Sequence, residues 1–278
     1  MVSKDPIARA MDDLDELKLF LEATVPSIEA ARSETFEAHM RLRTALRKPI
    51  PAAEDYERIR ARMVVVDEFV ADKGEHYLFS LAVVKLCTIL EAMTHGFLVD
   101  FLSDRQKWDS LPLLRKMEVP LIAFAKGDPE WQVGFLAEAV KDSVKFGLTN
   151  GVGKFEAVLN VLGFGGPVDS LVQRTLFEFV EVRNVIVHCS GTVDRRLSKL
   201  TEYADNVGQP LAVTKTDFRR FMLAVLWYVS EVLRRVAASE HEEQQEKDLQ
   251  EICAMYLGTL TELSSVGVAP EAARGTDA

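Results

Sequence analysis

Residues 178–194 read EFVEVRNVIVHCSGTVD, the only stretch in which Arg, Asn and His meet on one predicted helix. With about 100° of rotation per residue, Asn184, His188 and Glu181 fall within a narrow arc, joined in the preceding turns by Gln173 and Arg174. That arc is a polar stripe. Arg183 projects roughly 100° away from Asn184, among Val172, Leu176, Phe179 and Val187, on the face expected to be buried. A buried guanidinium needs an acceptor, preferably a carboxylate. The candidate is Glu91, the single acid inside the apolar run LFSLAVVKLCTILEAM at residues 78–93. Those two stretches, facing each other as helices, predict an all-α bundle.

Working upstream, Asp169 starts the motif helix, and Gly191 ends it as a C-terminal stop. The run from Glu75 to Ser103 is hydrophobic too broadly for a surface helix, so it belongs at the centre of the bundle. Glu91 and His95 lie four apart on it and can touch. A Glu-x3-His pair also suits a metal, but no second such cluster accompanies it, so no metal site is expected.

Arg183, four residues and then His188, with Asn184 directly after the arginine and Gly191 and Asp194 just past the helix end, resembles the HEPN superfamily. The helix carrying Leu90-Glu91 is similar to that superfamily's first core helix. The resemblance spans residues 74–240. It implies a helical bundle, commonly dimeric, and for many members a metal-independent endoribonuclease of toxin–antitoxin or antiviral systems, while others only bind. It further implies Arg183, Asn184 and His188 as catalytic residues, Glu91 as the supporting ion-pair partner of Arg183, no cofactor, RNA as substrate, a homodimer, and an antitoxin or other defence-system protein as partner. Toxins of this type with a tyrosine two residues after the histidine have Ser190 in its place here, so control through that tyrosine is not expected.

The chain has 278 residues, 48% of them hydrophobic, which is the composition of a globular protein. A net charge of -10 argues against indiscriminate nucleic-acid binding, so an RNase would need a local basic site or a dimer cleft. Cys87, Cys189 and Cys253 are too scattered for a disulfide framework or zinc ribbon and read as reduced thiols of a cytoplasmic protein. The first ten residues lack the apolar core of a signal peptide, and Phe221 to Val229 is too short to span a bilayer, so no membrane role is expected.

Residues 1–73 read as an N-terminal helical hairpin extension. Pro26 divides residues 10–47 into two helices, and Pro49 and Pro51 turn the chain into a further helix at 52–72, stopped by Lys73-Gly74. The arginines at 41–62 are interleaved with Glu54, Asp55 and Glu57 and read as a solvated face. Pro112 and Pro120 interrupt residues 106–126, which Trp108 anchors, and Asp128-Pro129 opens a helix to about Phe146. The glycine-rich residues 147–154 lack the pattern of a phosphate-binding loop and read as an interhelical turn. Arg174, Arg195 and Arg196 are candidate RNA contacts, and Asp194 can cap the next short helix. Leu211 to Thr214 reads as a short extended piece, Thr216 as the cap of the last core helix, and 241–278 as a C-terminal helix, with Leu249, Ile252, Met255 and Tyr256 on its apolar face, and a disordered tail.

Cleavage of RNA without metal needs a group to take the proton of the ribose 2′-OH, another to protonate the leaving 5′ oxygen, and a cation for the charge that builds on phosphorus. His188 is an imidazole able to take or give a proton, Arg183 supplies a fixed bidentate cation, and Asn184 orients the phosphate or the histidine. One such histidine per motif leaves the second proton-transfer group to a two-fold partner. The rival reading is a dimerisation or RNA-binding scaffold, in which Arg183 and Glu91 form a buried structural pair and His188 caps the helix C-terminus, where the dipole favours an imidazolium.

Overall fold

A computed structural model describes residues 5–45, 75–145, 151–200 and 203–266. Among them the regular elements are helices: α1 (Asp5–Ala45), α2 (Glu75–Ser103), α3 (Leu121–Lys126), α4 (Pro129–Lys145), α5 (Gly153–Leu162), α6 (Ser170–His188), α7 (Lys215–Ser239) and α8 (Glu243–Val266), with short 3₁₀ turns between. The protein is an all-α bundle. An isolated antiparallel bridge joins Thr192 and Pro210, just upstream of the expected extended piece at 211–214, in which Leu211 N–H bonds Gly191 C=O at 2.7 Å and Thr214 has extended backbone.

α2 is the central helix, as its composition dictates. Val83, Leu86, Cys87, Leu90, Phe97, Leu98 and Leu102 are fully buried, and α1, α4, α5, α6 and α7 all pack on it. This helix is long and apolar enough to cross a membrane, and most of its apolar side chains are buried in the bundle, Tyr77 and Leu81 being exposed. Phe179 of α6 meets Phe221 of α7 at 5.6 Å between ring centroids, and Phe79 of α2 stacks on Phe218 at 5.7 Å. Each such ring, fully buried, contributes about 1.5–3 kcal/mol.

α1 departs from the expected hairpin, running unbroken through Pro26. A proline interior to a helix forfeits one backbone hydrogen bond. The strong helix formers on both sides, Leu21-Glu22-Ala23 and Glu29-Ala30-Ala31-Arg32, let the helix continue across that loss. Its first half is no separate extension, because Ile7, Ala10, Leu14, Leu17 and Leu21 enter the common core. Gly96 makes the approach close: a Cβ there would stand 2.9 Å from Pro6 Cβ. The expected second helix of the hairpin, at 52–72, and the expected tail beyond 268 lie outside the described residues.

The end of the bundle follows the sequence with two shifts. Thr214, rather than Thr216, caps α7 through a capping box in which Asp217 N–H bonds Thr214 Oγ1 at 3.1 Å and the Asp217 carboxylate receives Thr214 N–H at 3.1 Å. Two orphan amides are thereby satisfied reciprocally. α8 lies against α7 through Leu249, Cys253 and Leu260, while Ile252 and Met255 are exposed. Of the face expected, Leu249 is buried and Tyr256 packs on the core, and the Arg234 guanidinium of α7 reaches Glu246 of α8 at 2.8 Å.

Candidate functional site

α6 begins where expected: the Asp169 carboxylate accepts the amides of Leu171 at 2.8 Å and Val172 at 3.4 Å. It ends at His188, after which Ser190 and Gly191 both take positive φ, 53° and 71°, and Gly191 N–H returns to Val185 C=O at 3.1 Å. The left-handed turn throws the chain back along the helix. Residues 192–200 and 203–214 then cover one flank of α6, and this covering decides which motif side chains stay open.

Glu181 is the clearest consequence. Helical spacing puts it on the polar stripe with Asn184 and His188, yet it is only 2% exposed, beneath Arg196, whose Nε–H donates to it at 2.7 Å. Its Oε1 is buried without a partner, and burial raises the carboxyl above its ordinary range despite Arg196. Glu178, 3% exposed, takes the Tyr203 hydroxyl at 3.0 Å and the Arg220 guanidinium. Two buried acids of α6 thus fasten the returning segment and α7. Arg196 is consequently tied to the protein, although half of its side chain remains exposed. Arg195 is exposed, and Arg174 lies on the rim of a cleft of about 430 Å³ with Glu178, Tyr203 and Arg220. Asp194 caps the 3₁₀ turn at Leu197–Lys199, accepting Leu197 N–H at 2.8 Å and Arg196 N–H at 3.0 Å.

Arg183 and Asn184 are both half-buried, His188 is exposed, and Val187, expected on the buried face, is 45% exposed. Arg183 Nη1–H donates to Asn184 Oδ1 at 3.3 Å, and its buried Nε–H has no acceptor. His188 stands one turn beyond Asn184 without a bond to either. The expected Arg183–Glu91 ion pair is replaced. Glu91 Oε1 receives Lys154 Nζ at 2.8 Å, and among the described residues no carboxylate reaches Arg183. The flexible four-carbon stem of Lys154, in the first turn of α5, places its ammonium on Glu91, whereas the planar fork of Arg183 is held toward its neighbour Asn184.

Arg183 nonetheless shares the neighbourhood of Glu91. Burial raises the Glu91 carboxyl, but the bonded Lys154 ammonium and the Arg183 charge bring it below the usual carboxylate range. Burial, and then the Glu91 charge, push the Cys87 thiol up to about 11, so this cysteine is a protonated core side chain. Beside Glu91, between α2, α4 and α5, opens a cavity of about 280 Å³ lined by Thr94, Glu138, Lys141, Lys154 and Phe155. Lys154 is the member of this group that sequence reasoning misses. Its one signal is its place at the end of the glycine-rich segment, in the first turn of a helix.

Among the described residues no group of three or more His, Cys, Asp or Glu gathers as a metal could require. Comparison with known proteins finds no matching family model, no matching curated protein and no matching solved structure.

Proposed function

We propose that the chain is a metal-independent endoribonuclease of HEPN type, cutting single-stranded or loop RNA in a toxin–antitoxin or antiviral setting. The observation that carries this reading is Arg183. Its half-buried guanidinium is bonded to no carboxylate among the described residues and is held by Asn184, so it supports the role of a fixed cation for a phosphate. Asn184 holds one edge of it, and His188 stands exposed one turn on.

In the reaction, His188 handles the proton of the attacking 2′-OH or of the leaving 5′ oxygen, and the ribose 2′ oxygen forms a bond to phosphorus as the P–O5′ bond breaks. Arg183 carries the extra negative charge on the phosphoryl oxygens, and Asn184 holds the guanidinium in place. The products are a 2′,3′-cyclic phosphate and a 5′-OH. The second proton-transfer group comes from a second copy across a two-fold axis, with the exposed Val187 and His188 at or beside the interface. The structural pair that the scaffold reading assigned to Arg183 and Glu91 is made by Lys154 and Glu91 instead, which leaves Arg183 available for the chemistry proposed here.

The test is cleavage of an RNA panel by the purified protein in the presence of EDTA, with the ends identified as cyclic phosphate. DNA survives, because it has no 2′-OH. His188→Ala keeps folding and oligomeric state and loses at least about a hundredfold in rate. Equal behaviour of the wild type and His188→Ala across the panel sinks the nuclease reading in favour of the scaffold. Light scattering at micromolar concentration, with and without RNA, reads a dimer, and a strict monomer removes the two-copy mechanism.

A further inference from the structure

The cavity beside Glu91 is lined by charges from three helices, Lys141 and Glu138 of α4, Lys154 of α5 and Glu91 of α2, two of each sign. The charge of Arg183 on α6 acts on Glu91 from beside that lining, so three cations gather around two carboxylates on a chain whose total is -10. His95, one turn after Glu91, adds a buried Nδ1 without a partner, and burial together with Lys141 lowers its pKa, which favours the neutral ring. Lys141 is bonded to Glu138 at 2.9 Å and Lys154 to Glu91 at 2.8 Å. Each ammonium has three donors and has used one on its carboxylate, so both can hold a second anion without leaving the first. Both side chains are about 30% exposed, 28% for Lys141 and 33% for Lys154, and both line the cavity.

We infer that Lys154 and Lys141 form a phosphate subsite beside Arg183, taking a phosphodiester of the bound RNA strand that flanks the scissile one. This rests on the ribonuclease reading above. Glu91 then acts as a positioning residue for Lys154 rather than for Arg183. Lys154 at the head of α5 and Arg183 on α6 both act on the charge of Glu91, which puts the two cations in one carboxylate's neighbourhood. The arrangement also gives a chain of strongly negative total charge a local group of cations for a polyanion, with no basic face required. The phosphate lies against a cation–π pair, since Lys154 Nζ sits 4.8 Å from the centre of the Phe155 ring, which limits where the ammonium can move.

The experiment uses the full-length His188→Ala protein, so that RNA is bound without being cut, and a fluorescent single-stranded RNA whose affinity is read by anisotropy over a salt series. Lys154→Met is compared with Lys154→Arg, and Lys154→Met/Glu91→Gln removes the carboxylate left alone in the single variant. Removing one phosphate interaction on a single strand lowers the slope of log affinity against log salt by about 0.7, a loss on the order of fivefold at 0.1 M salt. Lys154→Met and the double variant are expected to show both effects with unchanged melting temperature, and Lys154→Arg to restore both. Parental affinity and slope in Lys154→Met overturn the subsite while leaving the nuclease reading intact. An affinity loss that tracks a lowered melting temperature, without a change of slope, also overturns it and assigns Lys154 a structural role. If the His188→Ala protein binds no RNA and the wild type cuts none, the subsite falls together with the reading on which it rests.

Discussion

Replacing Arg183 by alanine separates chemistry from stability, and the structure sets how far apart they fall. Had the guanidinium been clamped on Glu91 in the core, its removal would leave an unpaired buried carboxylate at a cost of about 3–5 kcal/mol. Glu91 instead keeps Lys154 in the variant. What Arg183 loses is one long hydrogen bond to Asn184, at 3.3 Å, contributing at most about 1 kcal/mol, and the packing of a half-buried stem, about 1–2 kcal/mol. What the variant gains is relief of a buried Nε–H that has no acceptor, a penalty of about 1–3 kcal/mol. These terms offset, leaving a net change within about 1 kcal/mol. For a chain of this size that is a shift of about 2–4 °C in melting temperature. Cleavage, which depends on a preorganised donor at the phosphoryl oxygens, falls by about a hundredfold to a thousandfold. Urea denaturation followed by circular dichroism gives the first quantity, and a fluorogenic RNA gives the second. A destabilisation of about 3 kcal/mol or more would refute the reasoning, because it would mean that Arg183 is neutralised in the fold after all.

Arg235 is the contrasting arginine. Only 8% exposed, it holds Glu156 at 2.9 Å, Glu231 at 3.0 Å and the carbonyls of Phe164 and Pro167, joining α7 to α5 and the turn after it. Arg235→Leu should therefore cost about 3–5 kcal/mol by urea titration while leaving Arg183, Asn184 and His188 untouched, and a cost under about 1 kcal/mol would contradict the assignment. The acid limb of stability follows from Glu231: burial raises its carboxyl, but the hydrogen bonds and charges of Arg234 and Arg235 leave it below the usual range. A depressed folded pKa means that this contribution is fully present above the unfolded value of about 4.3 and is lost as pH falls through the folded value. Glu231→Gln should flatten stability against pH below about 4.3, whereas Glu91→Gln, on a carboxylate 42% exposed and solvent-screened, should leave that limb nearly unchanged. Denaturation midpoints at several acidic pH values distinguish the two.

Helix positions are legible in the sequence wherever the information is local. Asp169 caps α6 because its side chain precedes the helix by the right number of bonds, and Gly191 ends it because a left-handed φ carries no Cβ penalty there. The unbroken apolar character of α2 suffices to put it at the centre. Arg183, Asn184 and His188 come together for the same reason: six consecutive residues of one helix keep their mutual arrangement whatever surrounds them.

Everything that depends on a second element is decided by the tertiary structure. Helical spacing gives the angle at which Glu181 leaves the helix axis, but not that the segment at 192–200 folds back over that angle and buries it under Arg196. The pattern of apolar positions marks Arg183 and Glu91 as lone charges in search of partners, yet a pair needs two specific atoms within a few ångströms. Lys154, sixty-three residues from Glu91 and inconspicuous beside glycines, is the cation that arrives there. An amphipathic period determines which side of a helix is apolar. Only the packed bundle determines which polar groups meet across its interfaces, because ionic contacts depend on distance while periodicity carries direction alone.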